Sequence, residues 1–224
     1  MEGIEDSALS MARKHTDSES AFYWFLGLML IHGDGTKQDI EKGFSLIDRS
    51  AEMGDPHGQY LAGHFRHHGY FCEGDIAFAL KWYERAAEKG SVKAQSSLID
   101  IYLGSLPYTD YSRALYWTEK LASTGNAGAQ FNLAIFYEKG IAASVDPGAS
   151  YHWMKRAAEN GHGIAQYRLS KFYLHGEHFP RDLEQARFWH SKAGEQGVTE
   201  AMAHGRSLPR EMPSQWSPLQ DNIG

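Results

Sequence analysis

The feature that most constrains this chain is a comb of aspartates and glycines. Asp39, Asp75, Asp110, Asp146 and Asp182 recur along it, and so do Gly54, Gly90, Gly125, Gly161 and Gly197. Successive glycines lie 36, 35, 36 and 36 residues apart. A period in that range marks an array of small supersecondary units, each unable to bury its apolar face alone.

Five repeats are read, at 21–59, 60–95, 96–130, 131–166 and 167–202, between an N-terminal cap at 1–20 and a C-terminal capping turn and tail at 203–224. In the first half of four of them an apolar pair four residues apart is followed three residues on by a small residue. The sets are Leu26, Leu30, Gly33; Leu98, Tyr102, Ser105; Leu133, Tyr137, Gly140; and Leu169, Tyr173, Gly176. That spacing predicts a helix with a C-terminal stop. The second repeat has Ala62 and Arg66 in the paired slots, so its first helix is expected to pack less well.

The second half opens on the recurring aspartate, whose carboxylate accepts from the exposed amides of a first helical turn and complements the helix dipole. Pro147, directly after Asp146, suits the first helical position. One slot then carries Leu46, Trp82, Trp117, Trp153 and Trp189, with Ala51, Ala87, Ala122, Ala158 and Gly194 five residues later. A large residue meets a small one in every repeat, and burying about 150 Å² of an indole there contributes about 4 kcal/mol before ordering costs. The step from Ser105 to Asp110 is one residue shorter than that from Gly33 to Asp39, which puts the deletion in a loop. Ala203 to Leu208 are expected to form a last turn, and the tail with Pro209, Pro213 and Pro218 either to be mobile or to lie along the body through Trp216.

Composition narrows the function classes. The formal charge of -6 argues against nucleic acid and anionic membrane, which reward clustered Lys and Arg, so neither is an expected partner. A single cysteine, Cys72, read as an ordinary loop thiol, makes no internal disulfide, which excludes a stapled secreted scaffold and points to the cytoplasm. The longest apolar run, Ala21 to Ile31, is too short to span a bilayer, and the acids Asp17 and Glu19 before it oppose a secretory leader. No membrane insertion is expected. Ahead of it Ile4, Ala8, Leu9, Met11 and Ala12 predict one short amphipathic helix.

Leu-Ala-Ile-Phe-Tyr-Glu-Lys-Gly at 133–140, then Asp146, Tyr-His-Trp-Met-Lys-Arg-Ala-Ala-Glu-Asn-Gly at 151–161 and Ala165-Gln166 resemble the Sel-one-like repeat, a relative of the tetratricopeptide repeats. The resemblance covers about 180 of the 224 residues. It implies an all-α fold, a right-handed α-α superhelix (solenoid) of about five helix-turn-helix repeats with terminal capping helices. It also implies that the first helix of each pair lines a concave groove. Similar proteins are adaptors that hold protein partners, in bacterial envelope assembly, host interaction and signalling or in eukaryotic protein quality control. The cysteine-rich branch of the family staples its repeats, and nothing of that branch transfers to a chain with one cysteine.

With the Leu and Tyr slots turned to the core, the positions between them face the groove and differ between repeats. Phe25, Leu61, Ser97, Asn132 and Arg168 make one row; Leu28, His64, Asp100, Ile135 and Lys171 a second; His32, His68, Gly104, Lys139 and His175 a third. All but Ser97, Asn132 and Gly104 are candidate contacts for a protein or peptide partner, anchored by the apolar, His-rich end and oriented by the basic end. The N-terminal cap is placed to cover Phe25 and Leu61.

His64 and His68 are i, i+4 neighbours, a spacing able to share a metal. The segment His-Phe-Arg-His-His has no zinc-protease glutamate, so no metal site is assigned. There is no Gly-x-Ser-x-Gly elbow, P-loop or Rossmann fingerprint, so neither a catalytic residue nor a cofactor is expected. The functional expectation is a non-enzymatic protein-binding adaptor or scaffold. A dedicated inhibitor or immunity protein for a bacterial toxin or effector, and a small hydrolase, are the alternatives. The oligomeric state does not follow from the sequence.

Overall fold

The computed structural model describes residues 6–70, 73–176 and 180–203, without the side chains of Glu200 and Ala203. The expectations for Ile4, Cys72, the last turn beyond Ala203 and the tail through Trp216 lie outside the described residues. Among those residues there are twelve helices and no strand. They are α1 (Asp6–Lys14), α2 (Glu19–His32), α3 (Ile40–Glu52), α4 (Pro56–His68), α5 (Ile76–Glu88), α6 (Val92–Gly104), α7 (Tyr111–Ser123), α8 (Ala127–Lys139), α9 (Pro147–Glu159), α10 (Gly163–His175), α11 (Leu183–Glu195) and α12 (Thr199–Ala203). The protein is thus all-α, built of helix hairpins, as the periodicity predicted. None of the described helices is long and apolar enough to cross a membrane. The chain forms two compact units, residues 1–121 and 122–224, with α7 running from the first into the second.

The comb is the set of helix boundaries. Asp39, Asp75, Asp110, Asp146 and Asp182 each accept from an amide two or three residues on, at 2.8–3.0 Å. Each of these aspartates also donates its own amide to the last turn of the preceding helix, as from Asp75 to Arg66 O at 2.8 Å and from Asp146 to Tyr137 O at 2.9 Å. The start of the second helix is tied to the end of the first, so the two run antiparallel as a hairpin. Gly33, Gly69, Gly140 and Gly176 close the first helices in the left-handed region that a side chain resists, with φ between 65° and 78°. Ser105, in the same slot of the short repeat, is extended instead, at φ -100°. The caps of the first helices, Ser18, Asp55, Ser91, Asn126 and His162, do not stand out in the sequence because four residue types share the position.

In the first unit α2 is apolar around its girth because it is covered from two sides. Phe22, Tyr23, Leu26, Met29 and Leu30 pack with Ala8 and Ala12 of α1 and Leu46 of α3. Ile31 belongs to a second cluster with Ile47, Ala51, Ala62, Phe65 and Trp82. The closest approach of α2 and α3 is at Gly27 and Gly43, where a methyl group on either would come within 2.7 Å of the other's carbonyl oxygen. Only hydrogen fits between these backbones. In the second unit Ala134, Met154, Ala157, Ala158, Ala165 and Leu169 make the core, and Leu174 with Ala186 a satellite.

Two packing expectations need correction. Trp82 and Trp117 are buried as that slot predicts, but the next residue lies deeper in each second helix: Ile47, Tyr83, Thr118 and Met154 are fully buried and His190 is 2% exposed. Trp153 and Trp189 are only partly buried against the core. Their slot borders the surface, where cations three residues on cover the indoles, Arg85 on Trp82 at 4.8 Å, Lys120 on Trp117 at 5.1 Å and Arg156 on Trp153 at 5.6 Å. The second correction concerns α4, which packs fully, with Ala62 buried and Phe65 nearly so. Arg66 fills its slot by a two-pronged pair with Asp48, at 2.8 and 3.0 Å, while its guanidinium lies 4.5 Å over the Phe78 ring.

Successive hairpins are joined by a glutamine ladder. Gln59, Gln95, Gln130 and Gln166 are buried and donate to the carbonyls of Ala51, Ala87, Ala122 and Ala158, at 3.0–3.3 Å. Each bond fastens a first helix to the end of the second helix before it, satisfying a carbonyl left open there.

Candidate protein-binding surface

In the first unit the candidate residues sit on the first helices of three hairpins: Phe25, Leu28 and His32 on α2, Leu61, His64 and His68 on α4, and Asp100 on α6. Phe25, Leu28, Leu61 and His64 are half-buried, and His32, His68 and Asp100 are exposed. Half-burial has a physical reason here. Leu28 and Leu61 rest on the Ile31–Phe65 cluster beside Trp24, leaving an edge of each to solvent. Phe25 rests on the α1-facing cluster with Leu9 and stacks on His15 at 5.9 Å, so α1 shields part of it. Leu61 belongs to the other cluster.

Aromatic stacking continues the surface. His57 lies on Trp24 at 5.4 Å and 19°, and Tyr60 on His64 at 5.4 Å and 24°. At the end of α4, His64 and His68 meet edge to face at 4.5 Å, and His67 stacks on His68 at 4.5 Å. Burial, then the neighbouring imidazoles, push the pKa of His64 and of His67 below the ordinary histidine value. Partial desolvation of its carboxylate, on a residue otherwise exposed, pushes Asp100 up, opposed by the nearby His67. Among the described residues no group of three or more His, Cys, Asp or Glu is arranged to hold a metal.

In the second unit Ile135 of α8 is half-buried against the Met154–Leu169 core. Lys139 is exposed, and Arg168, Lys171 and His175 of α10 are half-exposed. Arg168 bridges to Glu138 of α8 at 2.9 Å and lies 5.8 Å over Phe131, while the Lys171 ammonium stands 5.8 Å from the Tyr167 ring. Glu138 therefore neutralises one of the cations on this basic surface. The sequence rows omitted Glu138, His67 and Tyr60. The i, i+4 spacing of Tyr60 and His64 was the signal available for the last of these.

What this arrangement offers chemically is adhesion. Side chains common to the repeats are occupied in caps, hairpin ties, the ladder and the core. The half-exposed positions differ in kind, apolar and imidazole-rich in the first unit and basic in the second.

The Sel1 repeat model matches residues 20–55, 56–91, 101–126, 127–162 and 163–198. A solved Sel1 repeat protein from Oxalobacter formigenes is 31% identical with a TM-score of 0.71, over 86% of this chain and 56% of that one. A protective antigen present in uropathogenic Escherichia coli strains, displaying an SLR fold, is 30% identical with a TM-score of 0.66, over 88% of this chain and 42% of that one. Among curated proteins, chitin synthase regulatory factor 1 of Schizosaccharomyces pombe is 30% identical over 116 residues, 50% of this chain and 25% of that protein. The chain spans a quarter or less of the length of the curated relatives it matches. Five matched repeats over most of the chain, each a capped helix hairpin, carry the conclusion that the protein belongs to the Sel1 repeat family.

Proposed function

We propose that this chain is a non-enzymatic adaptor that binds a protein partner on the outward positions of its first helices. The observation that carries the reading is the division of labour between positions: the side chains shared by the repeats hold the fold, and Leu28, Leu61 and Ile135 stay half-exposed on it. Apolar edges kept at the surface are what an interface core uses. The fission yeast relative is named a regulatory factor, which supports an adaptor class without supplying a target.

The test is partner capture by Leu28→Glu and Ile135→Glu, alone and combined, each checked by thermal unfolding. The expected outcome is a midpoint within a few degrees of wild type, a cost of about 1 kcal/mol or less, with recovery of the partner lost in the double variant. Retained recovery, or a collapsed midpoint, would show that these residues are not the docking face. A single tightly held enzyme, inhibited on binding, would make the chain a dedicated inhibitor.

A further inference from the structure

Three imidazoles occupy one turn at the end of α4. His64, His67 and His68 stand at the i, i+3 and i+4 positions that share a helix face. The surroundings are aromatic: the Tyr60 hydroxyl is 3.5 Å from His64 Nδ1, the Tyr83 hydroxyl of α5 is 3.4 Å from His67 Nδ1, and Tyr70 lies 5.4 Å from His68 and 5.9 Å from His64. From α6 come Lys93, which repels a proton on His64 and stands 5.7 Å over Tyr60, and Asp100, which attracts one on His67. Arg66, on α4 itself, is engaged by Asp48 of α3 and Phe78 of α5.

Burial and the neighbouring imidazoles hold His64 and His67 toward their neutral forms. Protons on neighbouring rings would meet at ring-contact distance, with Lys93 adding to the repulsion at His64 and Asp100 opposing it at His67. A site that takes protons reluctantly because it is partly buried and its imidazoles crowd one another takes them more readily once anions arrive, and by linkage it then holds those anions more tightly as pH falls.

We propose that the α4–α6 surface of the first unit is a proton-coupled docking site for an acidic peptide segment, whose carboxylates complete the charge of His64, His67 and His68. The inference rests on the protein-binding reading above and adds the partner's chemistry and its regulation. Aromatic walls suit an extended segment whose carboxylates alternate with small residues.

The test uses the full chain and a fluorescent peptide of alternating Glu and Gly, followed by anisotropy at pH 7.5 and 6.0. Affinity is expected to rise about tenfold or more on acidification, since each linked proton gives up to tenfold per pH unit. His64→Gln combined with His68→Gln should remove most of that rise. Asp100→Asn, which deletes the competing carboxylate, should tighten binding already at pH 7.5. Circular dichroism and thermal unfolding confirm that the variants fold. An equal pH dependence in the histidine variant would assign the effect to overall charge, which crosses zero near the sequence pI of 6.0, and would overturn the proposal. So would absence of binding at pH 6.0, or complete displacement by millimolar inorganic phosphate, which would mark a small-anion site. If Leu28→Glu with Ile135→Glu abolishes partner capture while peptide binding is independent of pH, the docking reading stands and only the proton coupling fails.

Discussion

His162 caps α10 with a ring nitrogen, Nδ1 accepting from the Ala165 amide at 3.2 Å, where other first helices use Ser, Asp or Asn. Only the neutral ring has that lone pair, and a cation at a helix N-terminus opposes the dipole. Burial also pushes the His162 pKa below 6.5. The stability linked to this group is therefore present above pH 6.5 and is lost as pH falls from there through the folded-state value. His162→Asn, which copies Asn126, should leave stability at pH 7.5 within about 1 kcal/mol of wild type and flatten part of the decline toward pH 5.5, as read by urea midpoints. A decline unchanged by the substitution would remove His162 as its source. Packing gives a second contrast between neighbours. Met154→Ala, at a fully buried position, should cost about 2–5 kcal/mol. Trp153→Ala, in the half-exposed slot, should cost less than the same change at Trp117, which is 5% exposed. The reverse order in chemical denaturation would mean that the indole row carries the core.

Two hairpins carry a polar tie from the last turn of their first helix to the hairpin before, and they make it differently. In α4 the tie is Arg66 with Asp48, 18 residues apart, and in α6 it is Tyr102 with Glu84, also 18 apart, the hydroxyl donating to the carboxylate at 2.7 Å. Burial pushes the Tyr102 phenol up to about 12, against the pull of Arg113, and it keeps its proton as donor. Arg66→Ala should cost about 1–2 kcal/mol, between the values for exposed and buried pairs, because the Arg66 and Asp48 side chains are 22% and 34% exposed. Arg66→Tyr with Asp48→Glu, which transplants the α6 tie, should recover most of that loss in a thermal melt. Failure to recover would show that the Phe78 contact decides the slot. This element also shows how far the sequence could be read. The spacing of caps and glycine stops reveals every hairpin, because those residues are chosen by backbone chemistry alone. Arg66 looked like a packing defect because its partner is one hairpin back, and the Trp row looked like the core because hydrophobicity does not say which of two adjacent large residues points inward. The candidate surface was legible as positions, since i, i+4 spacing defines a helix face. That His64, His67 and His68 form one stacked group with tyrosines from α5 and the loop after α4 depends on contacts between elements, which no local pattern encodes.

At the scale of the molecule, the aspartates of the comb sit at helix N-termini, where each carboxylate is held by amides. Part of the formal charge of -6 is thereby committed to holding helices, and less of it stands against an acidic partner than the net value implies. The same repetition makes stability a sum of hairpin terms and junction terms, and the two compact units, residues 1–121 and 122–224, are the parts whose independence can be tested. Leu169 is fully buried in the core of the second unit, so Leu169→Ala should cost about 2–5 kcal/mol there. Amide exchange then tests the division. Protection should fall in α8, α9, α10 and α11, while α2, α3, α4 and α5, which build the clusters around Leu26 and Ile47 in the first unit, should keep most of theirs. The glutamine ladder provides a graded expectation, since Gln95 and Gln130 flank α7 and each fastens a neighbouring hairpin: α7 should lose an intermediate amount. An equal loss of protection in every helix would mean that the five repeats unfold as one cooperative body, with junctions strong enough to override the division.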